Sequence, residues 1–354
     1  MTLTDLGWND YFAQAYEPYR IQGLSPARVS REHKHLYEVI GEQGELSAEV
    51  TGKLRHAATG RGDFPAVGDW LAVQVLPEER KAIIHAVLPR QSAFVRKEAG
   101  ARTEEQVVAA NVNIVFLVSG LDGEFNVRRI ERYITLAWDS GATPVVVLNK
   151  ADACPNVDAC VEEAESAAMG AEVLVVSAAT SQGVDALRQR LGSGRTGAFL
   201  GMSGVGKSSL VNCLLGEERQ TTYAVREDDL RGRHTTTHRE LILLPGGGLV
   251  VDTPGMRELQ LWTTESGLER SFEDVEAFAA QCRFSDCRHE SEPGCAVQDA
   301  IASGSLDSAR WQSYLKLKRE LHYLARRQDH ASRLAEKEKW KKIHMEIRRM
   351  DKNK

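Results

Sequence analysis

The chain has 354 residues, 42% of them apolar and 27% charged, with a formal net charge of −5. At roughly 150 residues per domain that length suggests two to three domains, and the balance excludes collagen-like, wholly disordered and membrane-embedded architectures. The charge is uneven: residues 310–354 hold 15 Lys or Arg against 6 Asp or Glu, a net of +9, leaving −14 on the rest.

In chain order, residues 1–30 carry no strong periodic signal. The opening MTLTDLGWNDYFAQ lacks a basic stretch followed by an apolar one, so no secretory leader is expected. From about Leu36 to Leu88 short apolar segments (36–41, 46–50, 70–76, 82–88) alternate with turns at 60–63 and 67–69. Short strands at this spacing predict a small barrel, with the OB-fold one candidate. The stretch from Arg102 to Ala110 is expected to connect the barrel to a second domain.

After Asn111 the pattern becomes strand–helix alternation. Strands are predicted at 114–119, 144–149, 173–177, 198–201 and 249–253. Helices are predicted at 126–140, with Asn126 as N-cap and Gly141 as stop, at 158–169 and at 207–214. Alternating units with buried-type strands argue for a parallel, doubly wound sheet. Beyond Gly267 the chain reads as helical, with amphipathic spacing at Trp311, Tyr314, Leu317, Leu321 and Leu324, and again at Trp340, Ile343, Ile347 and Met350. The longest apolar runs, 112–118 and 145–148, fall far short of the ~20 residues of a membrane span. Six sparse Cys fit a reducing compartment, so a cytoplasmic location is expected. The basic tail is expected to meet a polyanion, although a solvated helix face or helix packing gives the same pattern.

Three motifs carry chemistry. Gly201-Met202-Ser203-Gly204-Val205-Gly206-Lys207-Ser208-Ser209 follows a short apolar strand and opens a helix, as a phosphate loop must. Its glycines let backbone N–H groups close on a phosphate, the helix N-terminus adds positive potential, Lys207 reaches the β and γ phosphates, and Ser208 can ligate Mg²⁺. Asn149-Lys150-Ala151-Asp152 ends a predicted strand, where open α/β sheets bind ligands. The Asp152 carboxylate can accept from guanine N1–H and N2–H₂, a donor pair that adenine lacks. Asn149 can bond the base or tie the phosphate loop, the Lys150 stem can cover the ring, and Ser177-Ala178 can offer a backbone N–H to guanine O6. Asp252-Thr253-Pro254-Gly255 ends another strand: Asp252 can hold Mg²⁺ through water, and the Gly255 N–H can sense the γ-phosphate. Upstream, Arg231 to Thr237 is a polar loop whose Thr235, Thr236 or Thr237 could complete the Mg²⁺ shell; an ordinary polar loop is the competing reading. Further on, Cys282, Cys287, His289 and Cys295 lie within 14 residues and form the ligand set of a closed structural zinc site. Cys154, Cys160 and Cys213 read as structural.

The order of these parts is unusual. Ras-like GTPases run phosphate loop, switch threonine, D-x-x-G, N-K-x-D, S-A; here N-K-x-D and S-A come first, a circular permutation. With Arg233-His234-Thr235-Thr236-Thr237-His238 and the zinc cluster, the set resembles the ribosome small-subunit-dependent GTPase A family (RsgA, or YjeQ-type) from about residue 36 to the C-terminus. The resemblance implies a multi-domain fold: an N-terminal region 1–105 with an OB-like β-barrel at about 36–105, a circularly permuted α/β P-loop GTPase domain at 106–266, and a zinc-binding helical domain at 267–354. It implies GTP/GDP, Mg²⁺ and one structural Zn²⁺ as ligands, binding to the 30S ribosomal subunit and 16S rRNA late in maturation, and GTP hydrolysis stimulated by that subunit. No membrane partner is expected, and a monomer off the ribosome. Residues 1–30 hold only Arg20 and Arg28 as basic groups, unlike the basic extension of many members.

Met256 occupies the position where many Ras-like enzymes orient water with Gln, and a thioether cannot do this. Either hydrolysis is slow or another group positions the water, with His234 the candidate from the loop and from the resemblance; a phosphate-binding or loop-filling His234 is the competing role. The alternative function is a GTP-gated RNA-binding module with negligible hydrolysis.

Overall fold

The computed structural model describes residues 1–33, 36–97, 105–123, 125–168, 170–216, 239–252, 265–290 and 292–322. His234, Thr235, Thr236, Thr237, Gly255, Met256 and the second amphipathic stretch at 340–350 lie outside them.

Five strands close a barrel: β1 Ser25–Glu32, β2 Tyr37–Gly41, β3 Gly44–Val50, β4 Trp70–Leu76 and β5 Lys81–Val87. The order is β1-β2-β3-β5-β4 with β4 returning to β1, and β3–β5 is the parallel pair. That is an OB-type Greek key, with a short helix, α2 Gly52–Ala57, between β3 and β4. Strand β1 lies upstream of Leu36, where the sequence pattern first turns strand-like. Residues 1–30 are therefore structured. Helix α1 Asp10–Arg20, capped by Asn9, buries Phe12 and Tyr16, one turn apart, beside Trp70. Trp8 meets Trp70 edge to face at 4.7 Å.

Arg28, on β1, is wholly buried. Its guanidinium donates to the carbonyls of Gly68 (3.0 Å), Leu6 (2.5 Å) and Asn111 (3.0 Å) and lies 5.7 Å from the Trp70 ring centre. Burial pulls its pKa down to about 10. One side chain thus joins the N-terminal segment, a barrel turn and the residue that precedes the next sheet. A Cβ on Gly7 would lie 2.7 Å from the Gly194 carbonyl, so residues near the N-terminus press on the turn before the phosphate-loop strand.

A two-stranded sheet, β6 Ala93–Lys97 with β7 Glu105–Ala110, follows the barrel, so the expected connector is partly strand. Then come β8 Ile114–Gly120, β9 Thr143–Asn149, β10 Glu172–Val175, β11 Thr196–Leu200, β12 Arg239–Leu243 and β13 Leu249–Asp252. Their order is β10-β9-β8-β11-β13-β12, parallel except for β12. Helices α3 Val127–Ser140, α4 Val157–Ala167, α5 Val184–Leu191 and α6 Lys207–Leu215 connect these strands. Asn126 caps α3, and Gly141 ends it at φ 86°, because the left-handed stop suits a residue without Cβ. Strand β12 also pairs with β1 of the barrel, through Arg31↔Glu240 and Glu32↔Arg239, so one hydrogen-bonded sheet runs through both parts.

Helices α7 Glu265–Ser271, α8 Glu273–Ala279, α9 Ala296–Ala302 and α10, at 308–322, form the C-terminal part, in which α7 packs on α3 and α8 on α9. On α10, Trp311, Tyr314 and Leu317 are buried while Lys316, Lys318 and Arg319 are exposed, so one helix serves packing and carries charge on its other face. Among the described residues no helix is long and apolar enough to cross a membrane.

Candidate functional site

The phosphate loop leaves the end of β11, and α6 begins at Lys207. Gly204 and Gly206 have φ of 83° and 94°, left-handed values that disfavour other residues. A Cβ on Gly201 would meet the Val118 carbonyl at 2.4 Å, and one on Gly206 would meet Asn149 Nδ2 at 2.2 Å. Lys207 Nζ donates to the carbonyls of Gly201 (2.8 Å) and Met202 (2.5 Å), so the ammonium lies across the loop. Ser203 and Gly204 are exposed, Ser208 and Ser209 are half-buried in the first turn of α6, and Val205 is buried.

The base loop stands beside it. Asn149 ends β9 and is 1% exposed. Its Nδ2 donates to the Val205 carbonyl (2.9 Å), and its Oδ1 accepts from the Ala178 N–H (3.0 Å). The side chain ties phosphate loop, base loop and S-A segment together, the second of the roles expected of it. Of the Ser177-Ala178 pair, expected to offer a backbone N–H to guanine O6, the Ala178 N–H takes part in this tie. Ser177 Oγ donates to Asp152 Oδ1 at 2.5 Å and accepts from the Thr180 N–H at 3.2 Å, so the aspartate is held by a fully buried serine. Each carboxylate oxygen has two lone pairs, and Asp152 keeps acceptor capacity for a base edge. Lys150 takes a left-handed conformation (φ 65°, ψ 37°) and starts a single 3₁₀ turn over Ala151–Ala153. Its ammonium bonds Asp122, a residue that sequence reasoning passed over. The available signal was an Asp-Gly turn shortly after an apolar strand.

Asp252 ends β13. The ladder with β11 runs through Ala198↔Val251, which sets Asp252 beside the strand end from which the phosphate loop departs. The structure thus gathers Asn149 to Asp152, Ser177, Ala178, the phosphate loop and Asp252 at the carboxyl ends of neighbouring parallel strands, as ligand sites in open α/β sheets require.

The four metal-type ligands converge separately. The ligand atoms of Cys282, Cys287, His289 and Cys295 all lie within 4.8 Å of one another. His289 Nδ1 is 3.4 Å from both Cys282 Sγ and Cys295 Sγ, and those sulfurs are 3.9 Å apart. Tetrahedral zinc with its usual bond lengths needs S···N of about 3.5 Å and S···S of about 3.8 Å, so the cluster fits that ion. Burial, then the Lys318 ammonium, lowers the His289 pKa and leaves a neutral ring with a lone pair for a metal. His289 itself sits at φ 59°, and Gly294, at φ 75°, makes the turn before Cys295.

A family model described as RsgA GTPase matches residues 87–262. The small ribosomal subunit biogenesis GTPase RsgA of Opitutus terrae is 50% identical over 353 residues, 97% of this chain and 96% of that protein. The protein of the same name from Syntrophotalea carbinolica is 46% identical over 351 residues, 97% and 96%. The crystal structure of YjeQ from Thermotoga maritima superposes with a TM-score of 0.65 at 29% identity, over 84% of this chain and 98% of that one. YloQ, described as a circularly permuted GTPase, shares the fold at TM-score 0.60 and 23% identity, over 84% and 95%.

Proposed function

The chain belongs to the RsgA GTPase family, and from that membership we propose that it hydrolyses GTP to GDP and phosphate in the biogenesis of the small ribosomal subunit. The observation that carries the nucleotide assignment is the bond from Asn149 to the Val205 carbonyl. It joins a base-reading loop to a phosphate loop that comes later in the chain, as one purine nucleoside triphosphate would require.

Asp152, oriented by Ser177, reads guanine N1–H and N2–H₂, and the Lys150 stem covers the ring. Asn149 and Ala178 hold the two loops in register. The N–H groups from Gly201 to Ser209, with Met202, Ser203, Gly204, Val205 and Gly206 forming the turn, receive the phosphates, and Lys207 balances their charge. Ser208 and Asp252 would hold Mg²⁺, which supplies charge neutralisation between the β and γ phosphates. Thr236 or Thr237 and Gly255 are proposed as the elements that sense the γ-phosphate, and His234 as the group that orients the attacking water. Cys282, Cys287, His289 and Cys295 hold one zinc ion as a structural ligand set with no open position. Because the family is one of GTP hydrolases, a nucleotide-gated module with negligible hydrolysis is the weaker reading.

We further read the 30S subunit and its 16S rRNA as the partner, contacted by the OB barrel and by the exposed basic face of α10, with the chain a cytoplasmic monomer off the ribosome. OB-folds bind nucleic acid by groove and stacking, and phosphate contacts make such binding salt-dependent. Calorimetry tests the base assignment: GTP and GDP should bind and ATP should not. Asp152→Asn should move preference toward xanthine nucleotides, because an Asn amide donates to the xanthine O2. Equal affinity for ATP and GTP, or unchanged choice in that variant, would remove the assignment.

A further inference from the structure

Asp122 is the residue whose placement the function above does not use. It lies two positions beyond the end of β8, in the turn 121–123. The turn is anchored to the base loop by the Leu121 N–H, which donates to the Asn149 carbonyl at 2.9 Å, and by the ladder pair Gly120↔Asn149. One carboxylate oxygen, Oδ2, bonds Lys150 Nζ. The other, Oδ1, folds back over Gly120, where a Cβ would lie only 2.6 Å from it. Gly120 therefore makes room for the carboxylate, and the carboxylate fixes the lysine. The two side chains are 33% and 29% exposed, so the pair is partly shielded from solvent.

Lys150 needs such an anchor. Its left-handed backbone is unfavourable for a residue with a Cβ, and its side chain has four freely rotating bonds. A lysine stem that must lie flat against a purine loses that freedom on binding unless it is ordered beforehand. Pinning the ammonium at Asp122 fixes the methylene stem at both ends, at its backbone and at its charge.

We propose that Asp122 is a positioning residue for nucleotide binding: by holding the Lys150 ammonium it pre-forms one wall of the base pocket, strengthening purine nucleotide binding without contributing to the choice of base. The inference rests on the guanine-site reading above. Two residues divide the work: Asp152 reads the edge of the ring, and the Asp122–Lys150 pair supplies a surface for its face. A face contact is indifferent to the substituents at C2 and C6, so loss of the pair weakens guanine, hypoxanthine and xanthine nucleotides alike.

The test measures dissociation constants and off-rates of fluorescently labelled GDP, with unlabelled ITP and XDP as competitors, for the full chain and for Asp122→Ala, Asp122→Asn, Asp122→Glu, Lys150→Ala and the double variant Asp122→Ala/Lys150→Ala. Asp122→Ala should raise the GDP dissociation constant about threefold to tenfold, chiefly through a faster off-rate, with the ranking of bases unchanged. Asp122→Glu should restore most of the affinity, whereas the near-isosteric Asp122→Asn should not. In the Lys150→Ala background, Asp122→Ala should cost nothing further. Unaltered affinity in Asp122→Ala and Asp122→Asn, or a full additional loss in the double variant, overturns the proposal. Asp152→Asn, run in parallel, separates the two failures: if it changes base choice while the Asp122 variants do nothing, only the positioning role falls. Thermal midpoints of all variants identify any loss that comes from unfolding.

Discussion

Arg31, near the end of barrel strand β1, and Glu240, on strand β12, are cross-strand partners, and the guanidinium of one bonds the carboxylate of the other. Glu240 is in turn the ladder partner of Asp252 on β13. The barrel is therefore an extension of the nucleotide-binding sheet, aligned within one row of residues with an aspartate of the site. Arg31 also bonds Glu38 at 2.8 Å, and Arg239 bonds Glu32 at 3.0 Å, so charge pairs flank the seam on both strands.

Because the seam is shared backbone hydrogen bonding, barrel and GTPase sheet should melt in one transition. Arg31→Ala leaves Glu38 and Glu240 without their shared cation and should cost about 1 kcal/mol, since the groups are only partly exposed. At this chain length that is a fall of about 1–3 °C in the melting midpoint by calorimetry. Two resolved transitions in the unaltered protein, or no shift in the variant, would count against a continuous sheet.

Gly206→Ala should abolish nucleotide binding, with at least about a hundredfold loss by calorimetry while far-UV circular dichroism stays unchanged. The new methyl group would lie 2.2 Å from Asn149 Nδ2, and the φ of 94° is unfavourable besides. Gly216→Ala is the control. It has a φ of 75° at the end of α6 but nothing within 4 Å of the added carbon. It should cost about 1 kcal/mol of stability and leave nucleotide affinity intact. Similar binding in both variants would mean that the Asn149 bridge does not set the loop.

Chelation should release one zinc ion per chain, measurable by atomic absorption, and should loosen the region from Cys282 to α9. Cys295 is 2% exposed and occupies the N-cap position of α9, so its ligand role and the helix start share one residue. The His289 ring meets Trp311 edge-on with centroids 5.5 Å apart. Tryptophan fluorescence should therefore change on metal loss, and the change should be much smaller in Trp311→Phe. Release should be easier at low pH, because the three thiols must be deprotonated to hold the ion. A protein that keeps its helicity and fluorescence after complete metal removal would have a cluster that is not structural.

Legibility in the sequence tracked the strength of the local signal. Strands β8, β9, β11 and β13 read correctly because both faces are buried and the runs are continuously apolar. The cap and stop of α3 were visible because Asn126 and Gly141 act locally. The site motifs were legible for the same reason: a phosphate loop needs particular glycines at fixed spacing. Strand β1 was not legible. The run Ala27-Arg28-Val29-Ser30 does alternate apolar and polar residues, but it is short, and the arginine and serine that such a pattern would place in solvent are buried. What satisfies Arg28 comes from Leu6, Gly68 and Asn111, which no window on the sequence brings together. The partnership of Asp122 with Lys150 was hidden likewise, since 28 residues separate two groups that only the β8–β9 pairing sets side by side.

The docking of the C-terminal helices on the GTPase part depends on Arg310, whose exposure is 6%. Its Nε and Nη2 engage the Asp274 carboxylate at 2.6 and 2.7 Å, Nη1 donates to Glu131 Oε1 on α3 at 3.0 Å, and Nη2 also reaches the Ser271 carbonyl at 2.9 Å. The guanidinium carbon lies 4.7 Å from the Phe272 ring centre, so the group is stacked as well as bonded. Glu131 is 1% exposed and keeps Arg128 as a second partner at 2.6 Å. Arg310→Ala strips the half-buried Asp274 and the buried Glu131 carboxylates of their common cation and should cost about 3–5 kcal/mol. Arg310→Lys should recover little of it, because one ammonium cannot span Asp274, Glu131 and Ser271 at once. Limited proteolysis should then release the zinc-binding helices at lower temperature than in the unaltered chain, while GDP affinity, set by residues on other strand ends, should change less than about twofold. If Arg310→Lys were as stable as the unaltered protein, the forked geometry would not be what holds this interface; if GDP affinity fell in step with stability, the interface and the nucleotide site would be coupled rather than separate.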